Sequence, residues 1–121
     1  MDNKQAFQTY KQTEQEYIKG IETPHGRIKI LFETIIENID KLHGKHPKTD
    51  FLSFGKCLNA LKILSSSLDM ESGKDLATNL NELYIYCSNT LQEYLEDKNE
   101  KKLLEIKEII TELLNAWDEI G

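Results

Sequence analysis

Residues 103–120 read LLEIKEIITELLNAWDEI, and the spacing of their large apolar side chains decides the fold. Leu103, Ile106, Ile110, Leu113, Trp117 and Ile120 recur in strict alternation of three and four. This is the seam that one helix face presents to its neighbours in a packed bundle. A helix with such a stripe gains most of its stability by burying it, so partners are required elsewhere in the chain.

Three upstream stretches supply them. Ile28, Leu31, Phe32, Ile35, Ile39 and Leu42 form a stripe behind Thr23 and Pro24, an N-cap and first-turn pair, and Gly44 and Pro47 close that helix. Asp50 caps a second helix stepping through Phe54, Leu58, Leu61, Leu64 and Leu68, weakened in propensity by Gly55 and the run Ser65, Ser66, Ser67. Ser72 and Asp75 have the spacing of a capping box, opening a third helix with Leu76, Leu80, Leu83, Cys87, Leu91 and Tyr94. A second capping box is expected at Asp97 to Glu100. No segment alternates with period two for long enough to make a strand. The expectation is an all-α, antiparallel four-helix bundle over residues 23–121, with helices at about 24–43, 50–68, 72–96 and 99–120.

Residues 1–22 differ. Phe7, Tyr10, Tyr17, Ile18 and Ile21 are scattered among Gln, Thr, Lys and Glu. They suit an N-terminal arm that docks on the bundle through its aromatic and apolar side chains.

A chain of 121 residues with 39% apolar content can bury one continuous core. Its net charge of -6, with lysines interleaved among Asp and Glu, opposes nucleic-acid binding, which needs clustered basic surface. No stretch approaches the roughly 20 apolar residues of a membrane span, and no signal-like apolar region follows the first methionine. A soluble, cytoplasmic protein is expected. Cys57 and Cys87 lie 30 positions apart in helices without a CxxC, as small buried thiols do.

No catalytic constellation, cofactor cradle or metal site is legible. His43 and His46 share an H-x-x-H spacing in a Gly/Pro loop without acidic or thiol ligands beside them, and read as solvated. More informative is an apolar surplus outside the stripes: Ile30, Ile36, Ile63, Ile85, Tyr86, Leu104, Ile109 and Leu114. Flanking apolar residues are common in small bundles, but together these suit grooves that accept an amphipathic segment of another protein. A homodimer formed through the same residues is the alternative.

Four segments in order are similar to the flagellar secretion chaperone FliS family: TPH at 23–25 leading into Ile28–Glu33, SLDME at 67–71 followed by Gly73, LATNLNELYIY at 76–86, and AWDEI at 116–120. The resemblance implies a cytoplasmic four-helix bundle that needs no ATP. Its client would be newly made flagellin, whose disordered carboxy-terminal segment wraps the chaperone. It would thereby be kept from polymerising and remain competent for the type III flagellar export gate. The resemblance also implies that the arm, through Phe7, Tyr10 and Ile21, caps part of the client surface until flagellin displaces it. The flagellin-binding residues expected are Ile63, Leu64, Leu83, Ile85 and Tyr86, with Ile30 and Leu31 nearby. Departures from the family pattern fall at Gly26 and Arg27, at Thr34 where glycine is usual, and along the arm.

Overall fold

The computed structural model describes residues 24–44 and 50–120. Thr23, the arm with Phe7, Tyr10 and Ile21, and the loop containing His46 and Pro47 lie outside them. Among the described residues four helices follow in order: α1 Pro24–Leu42, α2 Phe51–Ser66, α3 Met70–Asp97 and α4 Glu100–Ile120. There is no strand among the described residues.

Each helix packs on two neighbours, α1 on α2 and α4, and α3 on α2 and α4, so the four close a ring around one core. Pairings near both ends of α1 fix its direction against α4. His25 meets Trp117, and Asp40 meets Lys107 at 2.7 Å. The connections are short and successive helices run antiparallel, as an up-down-up-down bundle requires.

The core contains Phe32, Ile35, Ile39 and Leu42 of α1, Leu61 and Leu64 of α2, Leu91 of α3, and Leu103, Ile106 and Ile110 of α4. Burial of each such side chain contributes roughly 1.5–3 kcal/mol, which compensates for the weak propensity of α2. Cys57 and Cys87 are fully buried and unbridged. Burial alone pushes Cys57 up to about 12; burial, then the charge of Glu105, does the same to Cys87. Both are thiols rather than thiolates at neutral pH.

The helix starts correct two expectations. Asp50 caps α2 as expected, accepting from the Ser53 amide at 3.1 Å and the Ser53 hydroxyl at 2.8 Å. At α3, however, Asp69 is the cap and accepts from the amides of Glu71 and Ser72. Ser72 is therefore a donor in the first turn, and the box with Asp75 does not open this helix. A carboxylate three residues earlier supplies the acceptor that the first-turn amides need, with the added attraction of the helix dipole. At α4, Asn99 accepts from Lys101 at 3.1 Å, while Asp97 accepts from Asn99 at 2.9 Å. Glu100 is left to accept from the Gly44 amide at 2.6 Å, tying the end of α1 to the start of α4.

Two stripe assignments also change. On α3 the buried line runs through Ala77, Tyr84, Cys87, Leu91 and Tyr94, with Leu80 half-buried in phase with them. Leu76 is 67% exposed. A small alanine one position later takes the inward place. On α4 the seam ends at Trp117, and Ile120, the last helical residue, is exposed.

Candidate functional site

Where α1, α2 and α3 converge near the chain end of α4, the apolar surface opens into a groove of about 430 Å³. Ile28 and Leu31 of α1, Ile63 and Leu64 of α2, and Leu80 and Tyr84 of α3 line it, joined by Leu68 and by Trp117 of α4. A second hollow of about 190 Å³ is lined by Arg27, Ile30, Leu31 and Ile63, three of which also line the first. The apolar surface is thus continuous over the α1–α2 ridge. Ile63, 40% exposed, belongs to both hollows.

The backbone explains why Ile63 stands there. α2 ends at Ser66, and the carbonyl of Ile63 accepts from the Ser67 amide at 3.0 Å and from the hydroxyls of Ser66 and Ser67. The serine run that lowers propensity satisfies the last carbonyls and holds the end of α2. Tyr84 projects from the buried line of α3, and burial, followed by the nearby Cys87, pushes its phenol up to about 12. It is an uncharged wall at every physiological pH.

Across the bundle end, the imidazole of His25 stacks on the indole of Trp117 with ring centres 5.1 Å apart. The indole N–H donates to the His25 carbonyl at 2.9 Å, and His25 Nε2 donates to the Trp117 carbonyl at 2.7 Å. Phe32 meets the same indole edge-on. Lys29 and Asp118 pair at 3.0 Å between the same two helices.

Apart from Arg27 and Ser67, the groove lining is apolar or aromatic. Among the described residues no group of three or more His, Cys, Asp or Glu could hold a metal ion. None of the described helices is long and apolar enough to cross a membrane. His43 is not isolated from acidic residues, for Glu100 lies 3.6 Å away.

A profile of the family described as "Flagellar protein FliS" matches residues 3–121. The chain belongs to the FliS family. A Vibrio cholerae relative named flagellar secretion chaperone FliS is 29% identical, over 95% of this chain and 88% of its own. The Pseudomonas aeruginosa flagellar secretion chaperone FliSB is 27% identical over 96% and 95%. A flagellar secretion chaperone FliS of Salmonella typhimurium is 26% identical over 96% and 90%.

Within this FliS-family bundle, Ile30, Leu31, Ile63 and Leu64 gather on the continuous groove. Leu83, Ile85 and Tyr86 do not line it. Leu83 is half-buried, Ile85 is exposed, and the Tyr86 hydroxyl donates to Glu105 of α4. Ile36, Ile109 and Leu114 of the apolar surplus pack against the core, leaving Leu104 exposed with Ile85 and Tyr86. Ile28, Leu68, Leu80, Tyr84 and Trp117 line the groove without being expected there from the sequence. Ile28, Leu68, Leu80 and Trp117 belong to the stripes, and a stripe residue near a helix end can serve core and groove together. Of the departures from the FliS pattern, Arg27 lies on the groove. Thr34 fits the helix by donating to the Ile30 carbonyl at 2.8 Å.

Proposed function

We propose that the chain is a flagellar secretion chaperone whose client is flagellin, bound through its carboxy-terminal segment and kept from polymerising before delivery to the export gate. The observation that carries this reading is the continuous apolar groove across α1, α2 and α3, with Ile63 standing exposed between its two hollows, in a chain of the FliS family. The relatives' names supply the chaperone role, and the groove supplies a means that needs no chemistry or cofactor.

Magnitudes shape the mechanism. A segment that folds as it binds buries on the order of 1,000–3,000 Å² to offset its ordering entropy. A groove of about 430 Å³ receives only a few side chains. The client must therefore cover further surface, and Ile85, Tyr86 and the half-buried Leu83 extend the contact along α3. Ile30, Leu31, Ile63 and Leu64 anchor it in the groove. Phe7, Tyr10 and Ile21 are assigned to an arm that covers part of this surface in the unloaded protein.

Size-exclusion chromatography of the protein mixed with its cognate flagellin tests the reading. A 1:1 complex is expected with the intact client and none with flagellin lacking its carboxy-terminal segment. Equal binding of both, or a tight homodimer that ignores flagellin, overturns it.

A further inference from the structure

We propose that His25 is a positioning residue for the groove: it holds the indole of Trp117 in place, and client affinity depends on it although His25 does not line the groove itself. The inference rests on the functional reading above for the identity of the client, but not for its geometry.

Trp117 is the one side chain of α4 that lines the groove. An indole at the last turns of a helix is free to turn about two side-chain torsions unless something holds it. Here it is held by a stacked ring, by an edge contact and at its polar atom. His25 stacks on it nearly parallel, at 11°, and Phe32 meets it at 79°. The indole N–H is committed to the His25 carbonyl. The reciprocal bond from His25 Nε2 to the Trp117 carbonyl fastens the α4 backbone itself. Because a carbonyl only accepts, this bond requires the proton on Nε2 and selects that tautomer of the neutral ring.

Holding the side chain in advance removes an ordering cost from the binding step. Immobilising one such side chain at an interface corresponds to about two- to tenfold in affinity. Two stretches 92 positions apart, TPH and AWDEI, thus meet in a single latch. Its purpose is to present a preset aromatic wall to whatever enters between α1, α2 and α3.

The test compares the wild-type chain with His25→Phe, which keeps a ring to stack but no donor for the Trp117 carbonyl, and His25→Gln, which keeps a donor but no ring. Two ligands are titrated, well below each variant's thermal midpoint: the carboxy-terminal segment of the cognate flagellin by calorimetry, and the apolar dye 1-anilinonaphthalene-8-sulfonate by fluorescence. Both are expected to bind each variant about two- to tenfold more weakly. Wild-type affinity of both ligands for both variants overturns the proposal, whatever the thermal midpoints do, because a purely structural latch would change only those. Failure of the flagellin segment to bind even the wild type, with dye affinity still reduced in the variants, refutes the functional reading and leaves the positioning role standing. A third measurement needs no variant. Trp117 is the only tryptophan, and saturating dye is expected to reduce acrylamide quenching of its emission. Unchanged quenching contradicts the claim that Trp117 walls the occupied groove.

Discussion

Lys98 closes α3 with φ 55 and ψ 27, in the left-handed region where an L side chain costs about 1–2 kcal/mol relative to the right-handed one. Glycine is the residue such a position favours. The ammonium of Lys98 lies 5.7 Å from the centre of the Tyr94 ring, a contact that repays part of the strain. Lys98→Gly is expected to stabilise the bundle by about 0.5–1 kcal/mol in urea unfolding, the strain relieved minus that contact and the flexibility added to the unfolded chain. In the opposite direction, Ile106→Ala opens a hole where a fully buried side chain stood. It should cost about 2–5 kcal/mol in the same assay. At this scale the sequence reading succeeds where one side chain has one role. Ile106 and Ile110 were legible as core because their spacing leaves them nowhere else to point. Tyr84 was not, since Leu83 and Tyr84 are both large and apolar, and one step of phase decides which lines the groove. That phase is set by Ala77, too small to register in a pattern of large residues.

At the scale of elements, α3 is two helical pieces joined at Lys74, whose φ 47 and ψ -122 are not helical. The break follows Gly73, and a Cβ built there would fall 2.6 Å from the Cβ of Ala77. Neither atom is the end of a flexible chain, so the backbone would have to shift. Gly73→Ala is expected to destabilise the protein by about 1–3 kcal/mol, with faster amide exchange concentrated in residues 69–77. The same region shows why the helix was legible but its start was not. Ser72 and Asp75 satisfy the spacing of a capping box, and only the path of the chain reveals that Asp69 had already taken the amides. The caps also give the protein an acid limit. Hydrogen bonds from the Ser53 amide and hydroxyl hold the Asp50 carboxyl below its ordinary 3.8, and those from Ser72 do the same for Asp69. The Lys102 ammonium, then the Asn99 amide, lower Asp97. A depressed native value means stability that is complete above the unfolded value and lost as pH falls through the native one. The thermal midpoint is therefore expected to drop as the pH falls below the ordinary carboxylate value of 3.8, and less steeply in the double variant Asp50→Asn, Asp69→Asn, which caps without titrating.

Over the whole molecule, the ring of four helices follows from four stripes and short connections, both readable in the sequence. What joins into a groove was not readable, because it depends on which faces of three helices converge and on where α2 stops. Ile63 illustrates this. The sequence marks it as apolar and off its stripe, and the end of α2 at Ser66 places it beside Ile30 and Leu31 of α1. The ion pairs across the α1–α4 seam, Lys29 with Asp118 and Asp40 with Lys107, have side chains roughly half exposed and add little to stability. The bundle stands on its core and has apolar surface to spare for a partner. The most direct test of that account is a calorimetric titration of intact cognate flagellin into the wild-type protein and into Ile63→Glu, a substitution at an exposed position that leaves the core untouched. The account predicts a 1:1 complex with the wild type and at least tenfold weaker binding, about 1.4 kcal/mol, to the variant at an unchanged thermal midpoint. Equal affinity for the two proteins would contradict it.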